Sequence, residues 1–131
     1  MCELRVVGRI RSELRDLALA PRQGVEGAPD AWLELLPDYQ SALEGLRPGD
    51  DLLVVTWLNR ASRDVLRVHP RGDLQAPLTG VFATRSPDRP NPLGLHRVTL
   101  RSIEGHRLRI GPIEAVDGTP VVDVKIALEA D

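Results

Sequence analysis

The sequence predicts a mainly β protein, a small barrel carrying one or two short helices, and three observations carry that expectation. Several short segments alternate apolar and polar residues with a period of two, proline and glycine signals separate them, and only one stretch has helical character. A chain of 131 residues with 42% hydrophobic and 27% charged content has the size of one ordinary domain, read here as spanning 1–131 without a separate C-terminal domain.

Taken in order, Leu4 to Ile10 reads as a first strand. The segment from Leu17 to Pro37 contains prolines and glycines and reads as a long functional or wrapping loop. Asp38 to Leu46 is the candidate helix, with Asp38 as its cap. After the turn signal Arg47-Pro48-Gly49-Asp50, the apolar, β-branched run Asp51 to Leu58 is the central strand. His96 to Leu100 pairs with Arg107 to Ile110 across a turn at Glu104-Gly105-His106, a hairpin with His96 and His106 facing solvent. Val121 to Leu128 alternates, with Asp123 and Lys125 on the face opposite Val122, Val124 and Ile126. Trp32 and Trp57 are assigned to the core, and His69, before Pro70, to a partly buried structural position.

Between the central strand and the hairpin lies G-V-F-A-T-R-S-P-D-R-P-N-P-L-G-L, Gly80 to Leu95, which carries the chemistry. Pro87, Pro90 and Pro92 each remove a backbone donor and push Ser86, Arg89 and Asn91 toward extended conformations. A stiff loop results. It displays Arg85, Arg89 and Asn91 at little ordering cost on binding.

Composition narrows the function classes. Cys2 is the single cysteine, so no disulfide framework or cysteine metal site is expected, and His69, His96 and His106 lack metal-ligand spacing. The N-terminus carries charges through its apolar residues, and no run has membrane-spanning length; a cytoplasmic protein is expected, without a membrane partner. The net charge of −2 conceals a basic middle: residues 60–109 hold ten arginines against Asp64, Asp73, Asp88 and Glu104, a local +6 that leaves −8 elsewhere. Clustered on one face they suit phosphates, and scattered round a barrel they are only a solvated surface. An aromatic content of 3% argues against a broad base-stacking surface.

The Gly80–Leu95 block, with Pro21-Arg22-Gln23, His69-Pro70 and Asp117-Gly118-Thr119-Pro120-Val121-Val122-Asp123-Val124-Lys125, resembles the TsaA-like (TrmO) family from about Val7 to Lys125. The resemblance implies a TsaA-like β-barrel that binds S-adenosylmethionine, works as a homodimer, and methylates N6 of threonylcarbamoyl-adenosine beside the anticodon of tRNA. Carried over residue by residue, it places the cofactor against Arg22 and Gln23, Asn59 and Arg60, Arg85 with Leu95, and Ile113 and Glu114. No G-x-G-x-x-G follows a strand, so a dinucleotide-type cofactor site is excluded.

The side chains suit those implied roles. Arg85 pairs with a carboxylate, Gln23 and Asn59 read an adenine or ribose edge, and Glu114 accepts from hydroxyl or amino groups. Methyl transfer from a sulfonium needs positioning and exclusion of water, and the acceptor nitrogen must shed a proton. Asn91 and Asp123 are the candidates to assist, Lys125 orients Asp123, and Arg89 engages a substrate carboxylate or phosphate. Asp117-Gly118 also makes a good turn without any chemistry. The tail departs from the family: D-V-K-I-A-L stands where many members continue D-I-K-P-Y, and Asn59 stands where relatives often have His. A binding module for S-adenosylmethionine, or a methyltransferase for a small metabolite, is therefore the alternative expectation.

Overall fold

A computed structural model describes residues 2–14, 28–129 and 131. Six strands close into a barrel: β1 (Gly8–Arg11), β2 (Ala31–Leu35), β3 (Asp51–Trp57), β6 (Leu93–Glu104), β7 (Arg107–Gly111) and β8 (Pro120–Ile126). Their order round the wall is β1-β2-β7-β6-β3-β8, every neighbouring pair antiparallel. The short strands β4 (Arg67–Val68) and β5 (Thr79–Gly80) pair with each other outside it. Closure leaves the barrel itself no sheet edge to protect, which is how a small barrel satisfies its backbone.

The period-two patterns set what the barrel encloses. Leu52, Val54 and Thr56 of β3 and Gly94, His96, Val98 and Leu100 of β6 point inward, alternating with exposed or half-buried neighbours. They meet Ile10, Ala31, Leu33, Leu35, Leu108, Ile110 and Val121 in a continuous apolar core. In β8 the register to β3 slips between Val55 and Thr56, so Val121 and Val124 face inward with Val122 and Asp123 between them.

The first strand begins at Gly8 rather than Leu4, and Arg107–Gly111 pairs with the Thr99–Glu104 part of β6, leaving His96–Val98 laddered to β3. Four further expectations need correction. Ala31–Leu35, inside the expected loop 17–37, is a strand, held by ladders to β1 on one side and β7 on the other. The expected helix is a 3-10 helix over Pro37–Leu43; Leu36 occupies the capping position without a side-chain cap, and Asp38 lies in the first turn. His96 is 6% exposed, not solvent-facing, because it shares the inward parity of Val98 and Leu100. Trp32 and Trp57 lie half-buried on the outer wall rather than in the core, covered by Arg107 and Arg109, and by Arg63, respectively. His69 is half-buried, its Nδ1 2.9 Å from the Ala76 carbonyl oxygen.

The registers also decide where the loops go. Arg11 ends β1 beside the start of β2, Trp57 ends β3 opposite Leu93, and the start of β8 pairs with Arg9. The connections 12–30, 58–92 and 112–119 therefore leave the same end of the barrel. The 3-10 helix, the Gly105-His106 turn and the segment after Ile126 occupy the opposite end. Among the described residues no helix is long and apolar enough to cross a membrane.

Candidate functional site

The loop end gathers the motif-bearing segments 80–95 and 117–120, and the 58–92 connection is stitched to itself there. Ser62 N–H donates to Asp88 Oδ1 at 2.9 Å and Arg89 N–H to the Ser62 carbonyl at 3.1 Å, so the turn after β3 and the proline block are tied together. Short side-chain turns tighten the block: Thr84 Oγ1 accepts from Ser86 N–H at 3.1 Å and Ser86 Oγ from Asp88 N–H at 3.3 Å.

Within this frame the two arginines of the block differ. The Arg89 guanidinium is half-buried and spans three carbonyls, donating to Ser86 at 2.8 Å, Val81 at 2.7 Å and Thr84 at 2.6 Å. Arg85 is exposed and makes no hydrogen bond or ion pair with a described residue. Arg63 donates to the Pro90 carbonyl at 2.7 Å and to Asn91 Oδ1 at 3.1 Å while lying over Trp57, so Asn91 is held by its carbonyl end.

Beneath the loops is a buried polar row that sequence reasoning did not assemble. Thr56 Oγ1 is 2.8 Å from His96 Nε2, and His96 Nδ1 is 2.7 Å from Glu114 Oε1. Leu93 to Val98 runs past the pairing of β6 with β7, and the 112–119 connection brings Glu114 to that stretch. Thr56 is fully buried, whereas the Glu114 side chain keeps 23% exposure. The signal in the sequence was a Thr and a His in the inward parity of two strands.

The remaining expected residues divide by position. Asn59 and Arg60 are exposed at the end of β3; Arg60 makes an interaction within the protein. Ile113 is wholly in the core and its N–H donates to the Pro29 carbonyl at 3.0 Å, leaving only its carbonyl to meet a ligand. Leu95, Asp123 and Lys125 are exposed on the outer wall, with Leu95 and Asp123 flanking Val55 in register. Lys125 Nζ is 3.3 Å from Asp123 Oδ2, a surface pair away from Glu114 on the inner side. Arg22 and Gln23 lie outside the described residues. Asp117 Oδ1 accepts from Ser12 N–H at 2.9 Å, and Gly118 takes the positive φ that this turn requires. A polar cleft of about 500 Å³ opens at the same end between Arg11, Ser12, Asp30, Trp32, Arg109 and Asp117, and among the described residues none of the expected cofactor residues lines it.

The ten central arginines are not one patch. Arg60, Arg63, Arg67, Arg71, Arg85 and Arg89 lie on the 58–92 connection, and Arg97, Arg101, Arg107 and Arg109 stand on the barrel wall. Three of the wall arginines face carboxylates: Arg97 with Asp51 at 3.4 Å, Arg101 with Asp30 at 3.5 Å and Arg107 with Glu34 at 3.3 Å. Arg63, Arg67, Arg85 and Arg89 of the loop end make no ion pair with a described residue.

Comparison with known proteins gives this end a context. Residues 9–130 match the model of the tRNA-methyltransferase O N-terminal domain. A "probable S-adenosyl-L-methionine-binding protein" of Pyrococcus horikoshii is 46% identical over 101 residues, 74% of this chain and 72% of that protein. Another of that description, from Archaeoglobus fulgidus, is 42% identical over 125 residues, which are 95% of this chain but 34% of that protein. The crystal structure of TrmO from Pseudomonas aeruginosa superposes with a TM-score of 0.79 at 32% identity, covering 99% of this chain and 57% of that one. The chain thus spans about a third of the Archaeoglobus relative and little more than half of the TrmO chain.

Proposed function

The chain belongs to the tRNA-methyltransferase O N-terminal domain family, and from that premise we propose that it is an S-adenosylmethionine-dependent methyltransferase acting on N6 of threonylcarbamoyl-adenosine beside the anticodon of tRNA. The observation that carries the reading is the convergence of the 58–92 and 112–119 connections on one end of the barrel, where Arg85 offers a guanidinium with no partner among the described residues and Glu114 a partly exposed carboxylate. These groups suit the two charged ends of an amino-acid moiety and the hydroxyls of a ribose.

Bound there, the cofactor supplies a methyl group on a sulfonium. The protein's part is to hold and orient: Arg85 takes the carboxylate, Asn59 an adenine or ribose edge, Glu114 hydroxyl or ammonium donors, and Ile113 a main-chain contact. Arg22 and Gln23 complete the proposed set. The proton released from the acceptor nitrogen must pass to a carboxylate or to solvent; we retain Asp123 on the outer wall as the candidate base, with Lys125 orienting it, and Asn91 in the loop as a hydrogen-bonding group that assists the nitrogen. Arg89 is proposed to act on the substrate by holding the loop that meets it, since its own donors are spent on carbonyls.

A homodimer is part of the proposal. Leu93 and Leu95 are 43% and 47% exposed on the outer wall, continuous with Trp57, Val55 and Leu53 across the β3–β6 ladder. An apolar strip of that kind is suited to a second copy. A cytoplasmic location follows from the tRNA substrate.

One observation favours the alternative of a cofactor-binding module or small-metabolite methyltransferase. Arg63 and Arg89, central to the basic loop, are engaged inside it, which leaves fewer cations for phosphates. Purified protein incubated with labelled S-adenosylmethionine and tRNA, with and without the threonylcarbamoyl group, separates the readings. Label transferred only to the modified tRNA is expected; cofactor binding without transfer selects the alternative, and absence of both removes the proposal.

A further inference from the structure

We propose that Thr56, His96 and Glu114 form a relay that fixes the Glu114 carboxylate at the barrel mouth, with His96 as a positioning residue for recognition of the cofactor. The role rests on the cofactor reading above; the relay itself rests on the packing. A carboxylate only accepts, so the proton between His96 Nδ1 and Glu114 Oε1, 2.7 Å apart, belongs to the imidazole. In the neutral ring Nε2 is then an acceptor, and the Thr56 hydroxyl 2.8 Å away donates to it. Every polar atom of the buried part is thereby satisfied, and of the two neutral tautomers only this one does so.

The chemical groups are those of a nucleophilic triad, but burial assigns them the opposite sense. Thr56 has no exposed surface, so no substrate reaches its hydroxyl, and Glu114 is the end that meets solvent. Glu114 Oε2 makes no hydrogen bond with a described residue, which leaves one acceptor aimed by the relay and available to a hydroxyl or ammonium donor. Gly94, paired with Thr56 across the ladder, keeps the space: a methyl there would collide with the Thr56 hydroxyl and crowd His96 Nε2. Thr56 sets the tautomer, the tautomer sets Glu114, and Glu114 sets the ligand.

Calorimetric titration of S-adenosylmethionine into wild type, T56V, T56S, H96L and H96N protein tests this, alongside nitrogen-15 imidazole spectra of the free protein and melting curves. The expected result is a His96 ring that carries its proton at Nδ1 and not at Nε2, with T56V and H96L weakening the cofactor about tenfold while the barrel stays folded. T56S, which returns the hydroxyl, and H96N, which returns an N–H near Nδ1, recover most of that loss. If H96L does not fold, T56V against T56S carries the comparison alone. Wild-type affinity in T56V, or a His96 that carries a proton on Nε2, with or without one on Nδ1, overturns the relay. A wild-type protein that shows the Nδ1 proton but binds no cofactor overturns the recognition role through failure of the cofactor reading, leaving the relay as packing.

Discussion

Arg85 and Arg89 bring the same guanidinium into the same loop, and their surroundings separate their roles. Arg85 has no described partner, so Arg85→Ala is expected to leave the melting temperature unchanged and to cost cofactor binding roughly 1.5–3 kcal/mol, the range for a charge-assisted hydrogen bond. Calorimetric titration checks it, and an unchanged affinity makes Arg85 a surface residue. Arg89 spans three carbonyls, a task for a planar fork that a lysine ammonium performs poorly. Arg89→Lys is therefore expected to loosen the loop almost as much as Arg89→Ala, seen as faster hydrogen exchange at Ser86 and Asp88. Equal protection in the lysine variant would contradict the fork argument. The stiffness of this loop was legible in its prolines, but which arginine was free was not, since that depends on which carbonyls the loop turns inward.

The strands show where periodicity is sufficient and where it is not. In β6, His96 shares parity with Val98 and Leu100, so its burial was readable; what favoured a solvent position was residue type, and the ladder overrode it. β2 was hidden because its five residues, A-W-L-E-L, lie within a proline- and glycine-containing segment, and a strand this short is stable only with β1 and β7 on both sides. β1 reaches β2 closely at Gly8, where a Cβ would collide with the Glu34 carbonyl oxygen, a backbone atom that cannot swing away. Gly8→Ala is thus expected to destabilise the fold by about 1–3 kcal/mol, as overpacking does. Chemical denaturation measures this, and a neutral substitution would mean that the β1–β2 spacing yields.

At the scale of the molecule, closing the barrel places the long connections at one end, and six of the ten central arginines go with the 58–92 connection. If tRNA is bound there, replacing exposed Arg67, which has no ion-pair partner among the described residues, by Ala reduces the slope of log affinity against log salt by about 0.7–0.9, the value for one phosphate contact. An unchanged slope in a shift assay excludes Arg67 from the contact surface. The apolar strip at Leu95 gives a separate expectation: Leu95→Asp shifts the proposed dimer toward monomer in sedimentation velocity, and a monomeric wild type removes the dimer from the proposal. The amino-acid sequence by itself determined the β class, the stiff proline loop and the family motifs, because alternation, fixed φ angles and turn glycines act over neighbouring residues. Only the tertiary structure decided that Thr56, His96 and Glu114 meet, that Arg89 is spent on carbonyls while Arg85 has no described partner, and that the wall arginines are largely neutralised. Those outcomes depend on ladder register and loop closure, which join residues far apart in the chain and leave little local trace.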